Sequence, residues 1–292
     1  MRTRTWVVLA LGLTSAAGAL ALDFDDLRKA LEKPKAQEQK AVPSGQKKEK
    51  TDLSGLVSAL KPVSAEEERA IGRQITGNLL SVAPVVNDAK LQEYVNRVGR
   101  WVAAQSGRPD LKWTFAVIDS SDINAFAAPG GYVLVTRGLC ARLQDEAQLA
   151  GVLGHEIGHV QEKHHLKLLQ QQHLVGAGSS LLSRQLKGEA AVQKLIGSGA
   201  EIMARGLDKN AEFEADRIGV VLAARAGYDP YGLPAVLQEI AAVSKDSSSV
   251  SLLFKTHPAP EERLTMLGEA MGDRLDAVRD GKTLKERLYP LR

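Results

Sequence analysis

The stretch Gly151–His165, GVLGHEIGHVQEKHH, holds four of the six histidines of a 292-residue chain. His155 and His159 stand four apart with Glu156 beside the first: His-Glu-x-x-His. On an α-helix, residues i and i+4 share a face one turn apart, so both imidazoles can reach one metal ion. Glu156 is rotated away from that ion but near enough to touch a water on it. Zinc lowers the pKa of a bound water to about 7, and a neighbouring carboxylate can then take its proton. The residues before the motif, Asp145–Gly154 (DEAQLAGVLG), are good helix formers, and the sequence predicts one helix from Asp145 to about His165. Continued at about 100° per residue, that helix turns His164 half a turn away from His155 and offsets His165. Neither shares the metal face; both, like His173, are expected as surface or packing residues.

A tetrahedral catalytic zinc needs a third protein ligand and an open position. The second acidic stretch, Asn210–Gly219 (NAEFEADRIG), offers Glu212 and Asp216, again four apart on a predicted helix. One of the two carboxylates can bind the metal. The other can accept a hydrogen bond from the far nitrogen of a ligand histidine and fix its tautomer.

Outward from these motifs the chain divides. Arg2 and Arg4, the apolar run Trp6–Leu13 and the small-x-small Ala19-Leu20-Ala21 before Asp23 form the pattern of a signal peptide, residues 1–21. The run is short and broken by Gly12, Thr14 and Ser15, against the ~20 residues of a membrane span. No other segment is long and apolar enough, so no transmembrane segment is expected after cleavage. Residues 22–62 read as a flexible segment and linker. Within them Glu32–Lys50 (EKPKAQEQKAVPSGQKKEK) is nearly free of apolar side chains, and short apolar patches at Leu27–Leu31 and Leu53–Leu60 flank it. A folded domain is expected over residues 63–274. It opens on a capping box, Ser64 with Glu67. A second helix runs from Asp88 to Gly107, and LKWTFAVID and GYVLVT alternate as strands. The long helix follows, then an interrupted helical stretch rich in Gly, Ser and Ala (Val175–Gly199). Helices then begin at Asp208, near Pro230 and at Ala259. Residues 275–292 read as a short charged tail. Aromatic residues are only 4% of the chain, so Leu, Val, Ile and Ala must build the core, which favours helices. The fold class expected is α+β, mainly helical, with a small sheet beside the histidine helix.

Removing residues 1–21 takes two arginines and no acid from a formal charge of +3. No basic stripe with interleaved aromatics remains, which excludes nucleic acid as a partner. Cys140 is the one cysteine, so no internal disulfide forms, and it is expected to be buried beside Leu139.

Taken together, HEIGHV, the later EFEADRIG, NAFAAPGGYVLVTRGL before the histidine helix and THPAPEER near the C-terminus resemble the HtpX and type I CAAX prenyl-protease family of zinc metallopeptidases. Within it the chain is most similar to the soluble exported bacterial branch that includes BepA and LoiP. The resemblance covers roughly Ser64–Met271. It implies a zincin-like domain, one zinc ion per chain held by His155, His159 and Glu212, Glu156 as general base, and a supporting role for Asp216. Gly131, Tyr132, Val133 and Leu134 resemble the edge strand that pairs with substrate backbone in this class. The His-Pro and the Arg six residues on recur beside the active site in the family. His257 is accordingly a candidate fourth ligand that latches the resting site, and Arg263 a candidate support for that loop or for the oxyanion. Asp208-Lys209 stand where the family often has Ser-Arg, and the helical repeats of BepA are absent. The resemblance implies an exported, periplasmic endopeptidase acting on unfolded or misfolded envelope proteins, with peripheral association with membrane or envelope assembly proteins. The alternative is an envelope chaperone or assembly factor with a latent or structural zinc site. Glu156 separates the two, because a structural site has no need of it.

Overall fold

A computed structural model describes residues 63–179, 206–243, 247–272, 274 and 281–290. The expected signal peptide at 1–21, the expected linker at 22–62 and most of the Gly/Ser/Ala-rich stretch lie outside the described residues.

Helix α1, Ala65–Val82, starts on the expected capping box: Ser64 Oγ accepts from Glu67 N and Glu67 Oε2 accepts from Ser64 N. Three glutamates in its first turn complement the positive end of the helix dipole. Helix α2, Ala89–Ala103, is capped by Asp88 and buries Leu91, Tyr94, Val95, Val98 and Val102 at helical spacing. Strands β1 (Thr114–Ile118), β2 (Ala125–Ala128) and β3 (Tyr132–Thr136) form a sheet in the order β1-β3-β2, with β1 parallel and β2 antiparallel to β3. The β2–β3 turn needs left-handed backbone at Gly130 (φ +76°) and Gly131 (φ +92°), which glycine adopts without steric cost. A short helix, α3 (Arg137–Cys140), leads to α4, Glu146–Gln161, which is buried from Glu146 through Val160. A helix apolar on all sides belongs in the middle of a domain: the sheet covers one side of α4 and α6 (Lys209–Arg225) another.

The histidine helix is shorter than the sequence suggests. It ends at Gln161, and α5 (His164–Ser179) starts after Lys163, whose φ of +57° breaks the helical path. Beyond α6, α7 (Gly232–Ala241), α8 (Ser248–Thr256) and α9 (Pro260–Met271) complete the helical layer; α8 rises from a polar run in which no helix was expected. The described end of the chain packs back onto the domain. Leu284, Leu288 and Tyr289 lie against the core, Arg287 pairs with Glu146 at 2.8 Å, and the Tyr289 hydroxyl donates to Asp88. Cys140 is partly rather than fully buried. No described helix is long and apolar enough to cross a membrane.

Candidate metal centre

Two helices meet unusually closely at the site. A Cβ on Gly154 would stand 2.7 Å from Gly219 O, and one on Gly219 would stand 2.7 Å from His155 N. Those separations are shorter than any Cβ contact tolerates, so only glycines let α4 and α6 approach this far. The approach brings Glu212, in the first turn of α6, to the HEIGH face of α4. Asp208 caps α6 by accepting from Asn210 N and Ala211 N. Lys209, at the position that departs from the family pattern, pairs with Glu262 at 2.9 Å.

His155 Nε2 and His159 Nε2 are 3.0 Å apart. Glu212 lies 3.7 Å from the first and 3.6 Å from the second. His257, at the end of α8, brings Nε2 to 3.7 Å from Glu212 Oε2. One ligand atom from each of these four residues falls within 4.8 Å of all the others. Four donors about 2.1 Å from one zinc ion stand roughly 3.4 Å apart, so the set fits such an ion. The buried Glu212 Oε2 has no hydrogen-bond partner, an arrangement that costs free energy unless a cation or proton completes it.

The outer nitrogens are fixed as a metal site requires. His155 Nδ1 donates to Asp216 Oδ1 at 2.8 Å, and the Arg263 guanidinium holds both oxygens of Asp216. His257 Nδ1 lies 2.9 Å from the Thr256 hydroxyl, which itself reaches the Leu252 and Leu253 carbonyls. His159 Nδ1 lies 3.0 Å from His164 Nδ1. All three Nε2 atoms are thereby left facing the common centre.

Electrostatics agree. Burial, reinforced by Arg263, lowers His155 and His257, and burial with His155 beside it lowers His159, so all three are neutral and can ligate. Burial pushes Glu212 well above the usual carboxylate range; Arg263 opposes this, and Asp216 and Glu156 add to it. Asp216 is driven the other way, burial being outweighed by Arg263 and His155. Burial lifts Glu156 to about 8 against the pull of Arg263; a divalent cation beside it draws the carboxyl back toward its ionised form.

Three expectations change. His164 is buried against His159 rather than turned away, because Lys163 ends α4 and redirects the chain. His165 also returns, its ring centroid 5.5 Å from that of His159; the side chain of His173 lies outside the described residues. Gly131–Leu134 are not an edge: β3 is the middle strand, paired on both sides. The edge beside the site is β2, whose Ala125, Phe126 and Ala127 line a cavity of about 20 Å³ with Glu156, His159, Glu212 and His257. A wider groove of about 1150 Å³, lined by α2 and the C-terminal segment, touches none of the site residues.

The sequence pattern of peptidase family M48 matches residues 89–271, a span that contains every residue of this centre. The chain belongs to peptidase family M48. His155, His159, Glu212 and His257, the four side chains that could hold a metal ion, all fall inside the matched span. The chain is 32% identical over 216 residues to the beta-barrel assembly-enhancing protease of Yersinia pestis, covering 71% of this chain and 44% of that protein. It is equally similar, 32% over 215 residues, to the protein of the same name in Escherichia coli K12, again covering 44% of it. The mitochondrial metalloendopeptidase OMA1 of Arabidopsis thaliana is 29% identical over 187 residues, 64% of this chain and 37% of that one. The chain thus spans less than half the length of these curated relatives.

Proposed function

We propose that the protein is an exported zinc metalloendopeptidase that hydrolyses peptide bonds of unfolded or misassembled envelope proteins. The observation that carries the reading is the convergence of His155, His159 and Glu212 on one point with an unpartnered carboxylate oxygen, and Glu156 in the same cavity. Support for the substrate class comes from the names of the two bacterial relatives, and for export to the periplasm from the pattern of residues 1–21.

His155, His159 and Glu212 would hold the zinc ion. Once bound, it would supply Lewis acidity for a peptide carbonyl and lower the pKa of a water toward neutrality. Glu156 takes the proton of the attacking water and returns it to the leaving nitrogen. Asp216 keeps the His155 proton on Nδ1, and Arg263 keeps Asp216 charged. The substrate backbone pairs with the outer edge of β2, which no other described strand covers and which lies beside Glu156 and His159, with little demand on side-chain sequence.

A cavity of about 20 Å³ holds roughly one water and no peptide. His257 occupies the place of a fourth ligand in the resting protein, and the His257–Ala259 loop must move before a substrate enters. Arg263 faces Asp216 and His155 and anchors the helix that follows this loop. The test is cleavage of an unfolded protein by the purified chain: it stops with chelator, returns with zinc, and rises in His257→Ala. Chelator-insensitive cleavage overturns the metalloprotease mechanism; cleavage unchanged in His257→Ala overturns the latch alone.

A further inference from the structure

The catalytic reading above uses neither His164 nor Glu214, yet both connect to a metal ligand. His164 Nδ1 is 3.0 Å from His159 Nδ1, and His164 Nε2 is 3.2 Å from Glu214 Oε2. His164 is buried; the Glu214 side chain is half exposed, on α6 between Glu212 and Asp216.

Two ring nitrogens at hydrogen-bond distance share one proton, and its owner decides what His159 can do. If His164 Nδ1 carried it, neutral His159 would keep its own proton on Nε2, the atom that faces His155 and Glu212, and could not ligate. With the proton on His159 Nδ1, every donor meets an acceptor. His159 Nδ1–H donates to His164 Nδ1, and His164 must then carry its proton on Nε2, where the Glu214 carboxylate accepts it. Only this order leaves the His159 Nε2 lone pair free.

We propose that His164 and Glu214 are positioning residues for the metal, holding His159 in its ligating tautomer and ring orientation. They do for His159 what Asp216 and Arg263 do for His155. One helix therefore supplies a ligand, Glu212, the outer partner of His155, Asp216, and the carboxylate that holds the His164 partner of His159, Glu214. The break at Lys163 takes on a purpose, since a continuous α4 would carry His164 away from His159. The inference rests on the zinc-site reading.

The experiment is a zinc dissociation constant by chelator competition on the full chain, with melting of the metal-free proteins as a control for folding. Outer hydrogen-bond partners of ligand histidines are worth about ten- to a hundredfold in metal affinity, and His164→Phe is expected to lose that much. His164→Asn, whose amide oxygen can take the place of Nδ1 as acceptor, recovers most of it. Glu214→Ala, at a half-exposed site that leaves folding intact, weakens binding about threefold to tenfold, the lower end of that range. Equal losses in His164→Phe and His164→Asn would mean a packing role and overturn the proposal, as would wild-type affinity in Glu214→Ala. His159→Ala separates the readings: if it abolishes zinc binding while His164→Phe and Glu214→Ala leave it unchanged, the zinc site stands and the positioning role falls. If His159→Ala keeps wild-type affinity, both fall.

Discussion

Two glutamates, Glu68 and Glu212, are each about 1% exposed, and they live opposite lives. Glu68 accepts a fork from Arg108 at 2.8 and 2.9 Å and a third bond from Gly130 N at 3.0 Å, with Lys163 at 3.7 Å. Burial alone would raise its pKa, but the Arg108 and Gly130 hydrogen bonds outweigh burial and lower it. Glu212 is buried as deeply, faces three imidazoles at 3.6 to 3.7 Å, and has an oxygen with no partner. The first carboxylate ties α1 to the Gly130 turn and to the end of α4; its bonds are complete within the protein. The second is incomplete without a cation. A buried charge whose partners are all present builds the frame, and one left short marks the place where the frame was bent for function.

The comparison breaks most sharply at Glu212 itself. Glu212→Gln is expected to abolish stoichiometric zinc and proteolysis, yet its metal-free form should melt at or above the metal-free wild type, because an uncompensated buried carboxylate is gone. A metal-free variant that melts well below wild type would make Glu212 a frame residue after all. Glu68→Ala should do the reverse. It leaves Arg108 without its partner and costs about 3–5 kcal/mol in denaturant unfolding, while the folded fraction keeps one zinc per chain. Gly219→Ala, which pushes a methyl into the α4 backbone, should cost about 1–3 kcal/mol and weaken zinc binding, since the helices must part. Native zinc affinity there would show that the close approach does not set the site. The smallest effect is in pH. Glu68 has a lower pKa folded than unfolded, so its contribution is complete above the usual glutamate value of 4.5 and is lost as the pH falls through the depressed folded value. Glu68→Gln should therefore flatten the acid side of the stability profile and leave the neutral-to-basic slope unchanged.

Local signals carried much of this architecture. Ser64–Glu67, Asp88, Asp145 and Asp208 cap the helices they announce, since a cap is a bond between near neighbours. HEIGH placed His155 and His159 together at the candidate metal centre because i, i+4 spacing on one helix is a local fact. Which of Glu212 and Asp216 faces the centre was open in the residues, because four-residue spacing treats them alike. Strand order was illegible: alternation marks strands, but the parallel β1–β3 pairing that puts Tyr132–Thr136 in the middle is a long-range event. His164 was misplaced because helix periodicity carries through Glu162-Lys163, and nothing in lysine announces a positive φ. Gly154, Gly158 and Gly219 did offer a signal. Glycines inside helices that cost stability usually admit a close neighbour, and here they admit the α4–α6 contact that sets the site.

In the proposed hydrolysis Glu156 is the proton-transferring group beside the zinc ligands. The most direct measurement pairs zinc content with cleavage of an unfolded protein in wild type and Glu156→Gln. The expected result is one zinc per chain in both, with proteolysis lost only in the variant. Cleavage within a few-fold of wild type in a zinc-loaded Glu156→Gln would contradict it.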